Sequence, residues 1–476
     1  MRLLLPLLAG LLTLLGNAAP KLSAQSDLFV SRAETRLVLA GRPFRFGGAN
    51  IEWLGLEGYG PADPRGPRLP SHYEIDDAMA TARELGARVV RSQTMGDSVG
   101  CNECLEPALG QFNQAAFERV DYALKSARDH GLRIIATIVG DDARAGGTGC
   151  VYLAWRGITV PNCSLLAMDP FWTDPAVIDD VEQHIRALLE HVNVYTRVAY
   201  KNDPTILGWD LMNGGGSPPA WTRTIAQFVQ SIDHRHLVLS DASNARLSSV
   251  DACVAFVYPH WHLPLSTVEP RIAACKAADK PFIAYEYGWD RTNYPSMRGL
   301  RAFLRSLAAD PEVAGDAFWA LQAHADGHGW MPIPADVRDR VAAARVESGE
   351  WWALYYPGIT TLVNTAADMA ARAQLIRRHD FAIHGIPPPP HAIPPAPIIT
   401  AASARLYWEG SAGAKDYSVQ RGAGPHGPWM TVCIRCVTDH DDGYLIPQRG
   451  WYRVIPYNLD GKPGPRSRPK EAAPGS

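Results

Sequence analysis

From Phe44 onward, short apolar runs alternate with longer amphipathic stretches: FRFGGANI, EIDDAMATARELG, ARVVRSQ, FERVDYALKSARDHG and LRIIATIVG. A compact apolar run bounded by turn residues reads as a buried strand, and apolar positions three and four apart read as an amphipathic helix. Strands separated by helices imply a parallel sheet. The strand series continues through PTILGWDLMN, HLVLSD, ACVAFVYP, KPFIAYEYG and DAFWALQ, with helices between most of them. Eight strands in this order predict an α/β fold, a (β/α)8 barrel in preference to a doubly wound sheet.

In such a barrel, chemistry sits at the C-terminal ends of the strands. Those ends carry Asn50-Ile51-Glu52-Trp53, Arg91, Asp141-Asp142, Asn213-Gly214, Asp241, Tyr258-Pro259-His260, Glu286 and Trp319. Polar and aromatic groups at so many strand ends fit a long, open groove for a sugar chain.

The pattern changes at both ends of the chain. Residues 1–24 hold one early basic residue, Arg2, a Leu-rich run to Leu15 and small residues up to Ala24, which reads as a secretory signal peptide cleaved after Ala24. The run is shorter than the ~20 residues a membrane span needs, so the expected location is secreted, extracellular or periplasmic. The barrel is assigned to residues 27–385. Residues 386–397, IPPPPHAIPPAP, have seven prolines in twelve positions and read as a stiff polyproline II linker. Beyond it, LYWEG, YSVQRG, WMTVCI and WYRVIPYNLDGKPGP are short alternating strands with Gly and Pro turns, the pattern of a small all-β sandwich. Residues 398–468, through Trp408, Tyr452-Arg453-Val454, Asn458 and Gly461, resemble a fibronectin type III domain; residues 469–476 form a tail.

Composition narrows the ligand. With 46 Lys+Arg against 49 Asp+Glu the net charge is −3, too balanced for a polyanion partner, so no nucleic acid is expected. The 14 Trp and 17 Tyr can serve as core or as platforms for sugar rings. Export makes disulfides the first reading of the eight cysteines, which fall as neighbours: Cys101/Cys104, Cys150/Cys163, Cys253/Cys275 and Cys433/Cys436. Zinc is the competing reading of the two C-x-x-C pairs, but neither has a local His or Cys to complete a four-ligand set.

Several segments between Phe46 and Trp319 occur in a family order: FGGANIEWLGL, RVVRSQ, IVGDDARAGGTGCVYLAW, FWTDP with HVNVYTRVAYKNDPTILGWDLMN, KPFIAYEYG and FWALQ. Together they resemble glycoside hydrolase family 5, most closely its β-mannanase branch. The resemblance implies that Glu286 is the nucleophile and Arg91 the strand-two arginine. It implies further that Trp53 and Trp319 line the sugar site, that Asn213 meets the sugar 2-hydroxyl and that Tyr258 hydrogen-bonds the nucleophile. No metal and no cofactor are implied.

Retaining hydrolysis needs two carboxyl groups about 5–5.5 Å apart. Where the family pattern has Asn-Glu after strand four, this chain has Asn213-Gly214, so the usual acid/base position is vacant. On strand six the family's His-x-Tyr becomes Phe256-Val257-Tyr258. Substitute acids are sought in Asp241, His260, His262, Asp210, Asp141 and Asp142. Each has a plainer role open to it: Asp210 as an arginine's partner, Asp241 and the histidines as sugar contacts, Asp141 and Asp142 as solvated loop residues. His324, Asp326 and His328 read as loop groups facing substrate rather than as metal ligands. The expectation is a monomeric secreted hydrolase acting with retention on β-mannan or a related β-linked polysaccharide. A catalytically inactive glycan binder using the same groove competes with it.

Overall fold

The computed structural model describes residues 28–58, 66–140, 149–159, 169–213, 216–258, 268–288, 297–331, 353–361, 364–438 and 443–474. Eight strands form a closed barrel: β1 (Phe46–Asn50), β2 (Val89–Ser92), β3 (Arg133–Thr137), β4 (Ile206–Asp210), β5 (Leu237–Asp241), β6 (Ala252–Val257), β7 (Phe282–Tyr287) and β8 (Val313–Phe318). Each is parallel to its neighbours, and β8 closes on β1 through the register Gly315–Phe46 to Phe318–Ala49. These are the eight apolar runs read from the sequence, so the (β/α)8 architecture holds.

The outer ring includes α1 (His72–Glu84), α2 (Gln114–Asp129), α3 (Pro175–Glu190), α4 (Pro219–Ile232), α5 (Val268–Lys276), α6 (Arg298–Ala309) and α7 (Ala366–Ile383). Their starts follow from local chemistry. Ser71 accepts from the Glu74 amide while the Glu74 carboxylate accepts from the Ser71 amide, a capping box for α1, and Asp174 followed by Pro175 opens α3.

Apolar residues sort into two layers. Phe46, Val89, Ile135, Leu207, Leu239, Val254, Ile283 and Tyr285 fill the barrel interior, with Val30, Leu37 and Phe44 from the N-terminal segment in the same cluster. A larger cluster lies between strands and helices. Tyr285 belongs to the inner layer and Tyr287 to the outer one, so their side chains face opposite ways although two residues apart. Strict alternation is therefore broken at Glu286, and the pairing of β7 shifts register on both sides here.

The C-terminal part forms two antiparallel sheets, one of three strands and one of four, around Trp408, Tyr417, Val419, Tyr452 and Val454. The Pro-rich stretch is fastened to the barrel. Glu84 of α1 accepts from the Ala392 amide (3.0 Å) and pairs with His391 (3.0 Å), while Arg377 of α7 donates to the Pro389 carbonyl (2.7 Å). Residues 1–24 lie outside the described residues. Among those described, no helix is long and apolar enough to cross a membrane.

The cysteine expectation needs one correction. Cys101–Cys104 and Cys433–Cys436 are disulfides, and Cys150 is disulfide-bonded while Cys163 lies outside the described residues. Cys253 on β6 and Cys275 on α5 are free, buried thiols. They lie within hydrogen-bonding reach, and this contact, with burial, raises the Cys275 thiol.

Candidate active site

Arg91, at the end of β2, organises the strand ends. Its guanidinium is wholly buried. It donates from Nη2 to Asp210 (2.8 Å) and Asn213 Oδ1 (2.6 Å), and from Nη1 to Asn50 Oδ1 (3.1 Å) and Glu286 Oε2 (3.0 Å). The ring of Tyr285 lies beneath it, 4.0 Å from the guanidinium carbon. Burial works against the charge, but Asp210, Tyr285 and Glu286 outweigh it and hold Arg91 above its ordinary value. A fixed cation is thus built under the strand-seven carboxylate.

Glu286 receives a second donor from the other side. The Tyr258 hydroxyl, just past β6, donates to Glu286 Oε1 at 2.7 Å. Burial and the Glu286 charge push that phenol well up, so it remains a donor. Each carboxylate oxygen therefore has one strong partner, an arrangement that favours an ionised, oriented group. Asn50 completes the frame, donating from Nδ2 to the carbonyls of Tyr285 (3.0 Å) and Phe318 (3.2 Å), which ties β1 to β7 and β8.

The other residues singled out in the sequence fall into three groups. Asn213 joins the Arg91 cluster at the end of β4, and Trp319, partly exposed after β8, bonds through its amide to the Tyr287 carbonyl (2.8 Å). Trp53 is only 2% exposed, packed in the outer core with its indole N–H on the Leu321 carbonyl (3.2 Å). Asp210 is the buried partner of Arg91 and also accepts from Thr137 (3.0 Å). Asp241 accepts from the Ser243 amide (2.8 Å) as the cap of a short helix. Gly214, His260, His262, Asp141 and Asp142 lie outside the described residues.

The strand-eight loop is structural where it is described. His324 is buried against Asp77 (2.9 Å) and stacks on Trp330, while Asp326 accepts from Ser71 (2.6 Å). Phe256, which the sequence resemblance sets in the place of the family's histidine, packs its ring against Tyr285 and Tyr258. An apolar ring there has no proton to exchange with an acid.

One carboxyl, noted in the sequence only as a strand-end residue, gains a distinct character in the structure. Glu52, two residues past β1, accepts from Gln322 Nε2 at 3.1 Å, and its Oε2 is sealed from solvent without a hydrogen-bond partner. Burial pushes it up to about 7, against its backbone and Gln322 hydrogen bonds. Its charge also acts on Tyr258. A glutamate inside the otherwise apolar IEWLGL run was the available signal.

Residues 27–263 match the family described as "GH family 5 beta-mannosidase-like". The chain is 32% identical over 250 residues to mannan endo-1,4-beta-mannosidase 3 of Arabidopsis thaliana, covering 49% of this chain and 57% of the relative. It is 27% identical over 342 residues to mannan endo-1,4-beta-mannosidase 3 of Oryza sativa subsp. japonica, covering 60% and 70%. With 57% and 52% of two Arabidopsis relatives covered, the chain spans little more than half the length of these curated proteins. The fold resembles the endo-1,4-beta-mannanase from Rhizomucor miehei (TM-score 0.54, 21% identity, 75% of this chain and 99% of that one). It also resembles the endo-beta-1,4-mannanase from Thermotoga petrophila (TM-score 0.57, 18% identity, 91% and 98%). Residues 27–263 are thus similar to glycoside hydrolase family 5 proteins of the mannosidase-like kind, and the solved structures share the barrel fold.

Proposed function

We propose that the protein is an exported glycoside hydrolase that cleaves β-mannan or a related β-linked polysaccharide with retention, using Glu286 as nucleophile. The observation that carries this reading is the double clamp on Glu286, with Arg91 at 3.0 Å and Tyr258 at 2.7 Å. A carboxylate kept ionised and aimed can attack an anomeric carbon and leave as the glycosyl-enzyme is hydrolysed. Asn213, beside the clamp, serves the sugar 2-hydroxyl, and Trp319 lines the sugar site. The N-terminal Leu-rich segment supports export, and we read the C-terminal sheets as a fibronectin type III-like module following the linker.

The acid step is the weak point. Loss of a general acid typically costs on the order of 10²- to 10⁴-fold when the leaving group is poor. Native mannan is therefore turned over slowly, whereas an activated aryl glycoside needs no proton. Asp241 and His260 are candidate donors. Gly214 and Phe256 favour a second reading, a glycan-binding protein that no longer turns over.

The test compares wild type and Glu286→Gln on an activated aryl β-mannoside, with oligosaccharide binding measured alongside. Cleavage by wild type alone, with nearly equal binding by both, supports the nucleophile. Cleavage retained in the variant excludes that role, and binding without cleavage in either protein favours the second reading.

A further inference from the structure

Behind the nucleophile, on the outer face of the barrel, lies a buried cluster that the proposed chemistry does not use. Asp316 of β8 faces His379 and Asp380 of α7, and one ligand atom from each lies within 4.8 Å of the others. His379 Nε2 bonds Asp316 Oδ2 at 2.8 Å. Asp316 Oδ1 and both oxygens of Asp380 have no hydrogen-bond partner, although both residues are fully buried. A residue outside this trio makes the same point. Tyr287, 1% exposed, points outward from β7 toward Asp316 and Asp380, and its hydroxyl makes no well-directed hydrogen bond although Asp316 is within reach.

Buried carboxylates are paired, protonated or bound to metal. Apart from the His379 ring on Asp316, no arginine or lysine among the described residues bonds these carboxylates, and burial and the Asp316 charge act on Asp380. Arg45, which feels Asp316, donates instead to the carbonyls of Leu307, Ala308, Asp310 and Val313. The backbone makes room for the cluster. A Cβ at Gly47 of β1 would stand 2.3 Å from Asp380 Cγ, so this glycine lets α7 press its carboxylate onto the strand.

We infer that Asp316, His379 and Asp380 bind a divalent metal ion of the zinc class, with the Tyr287 hydroxyl beside it. Two carboxylates and a neutral imidazole carry a charge of −2, which a divalent ion cancels. Two oxygens and one nitrogen suit zinc better than calcium, which takes six to eight oxygen ligands. Bonds of about 2.0–2.2 Å to a tetrahedral ion set donors about 3.3–3.6 Å apart, so His379 and Asp316 part slightly from their 2.8 Å contact while Asp380 draws in. The ion is structural: the site is closed to solvent and pins α7 to β8 and, through Tyr287, to the strand that carries Glu286.

Tag-free full-length protein from zinc-supplemented culture tests this by elemental analysis, together with thermal unfolding before and after chelator treatment in mild denaturant. About one zinc per chain is expected, with the melting temperature falling by roughly 5 °C or more on removal and recovering on zinc addition. Asp380→Asn and His379→Gln should each lose the metal and the response to chelator. Wild-type protein without stoichiometric metal, whose melting temperature zinc and chelator leave unmoved, overturns the site. An Asp380→Asn variant more stable than that metal-free wild type would show that the two aspartates share a proton instead.

Discussion

Arg91 Nη1 donates to Glu286 Oε2 at 3.0 Å while the same guanidinium holds Asp210 at 2.8 Å, so one buried cation serves two carboxylates on strands β4 and β7. In the proposed mechanism the first contact belongs to the chemistry and the second to the scaffold. Removing the arginine affects both.

Arg91→Met leaves Asp210 buried without its counter-ion and takes one strong donor from Glu286. Breaking a buried pair by deleting one partner costs about 3–5 kcal/mol. Denaturant unfolding should show a loss of that order, and cleavage of an aryl glycoside should fall with it. A loss below about 1 kcal/mol would mean that Asp210 is neutral in the folded protein and that the cluster is not held by charge.

Glu52 gives a pH signature with a definite sign. Its folded value of about 7 lies above the ordinary 4.5, so the folded chain holds this proton more tightly than the unfolded chain. The stabilisation is full below about pH 4.5 and is lost as pH rises through about 7, by at most about 3 kcal/mol. Glu52→Gln cannot titrate, so its stability relative to wild type should improve over that window. Parallel pH–stability curves for the two proteins would place the Glu52 carboxyl at its ordinary value.

Gly214→Glu puts a carboxyl where the sequence resemblance places the family's acid/base residue. Hydrolysis of mannan should then rise by a factor of about 10² or more, the share that general acid catalysis ordinarily supplies. Cleavage of an activated aryl substrate should change little, since that step needs no proton. No gain on mannan would mean that the GGGS segment does not aim a carboxylate at the scissile oxygen, or that another acid already acts.

The barrel was legible because each of its strands is a compact apolar run between amphipathic stretches, a signal that depends on local sequence alone. Arg91, Tyr258 and Glu286 were legible through motifs at strand ends, and the structure brings those three side chains together. Trp53 shows the limit. A tryptophan after a strand can face the groove or the core, and the bond from its indole N–H to Leu321, 268 residues away, cannot be read from local sequence. Cys253 and Cys275 are likewise close in sequence and in space, yet spacing does not decide whether two thiols bond or only touch. The cluster of Asp316 with His379 joins residues 63 apart on a strand and a helix, and nothing in either segment alone marks it. Glu52 was visible as a residue, but its raised carboxyl value comes from burial that only the closed barrel creates.

The most direct test of the central claim is hydrolysis of mannan and of an activated aryl β-mannoside by wild-type protein, each with and without azide. A working Glu286 without its usual acid should cleave the aryl substrate, go faster with azide and release a β-configured mannosyl azide, while mannan is cleaved slowly. An α-configured azide product, or no aryl cleavage under any condition, would contradict a retaining mechanism through Glu286.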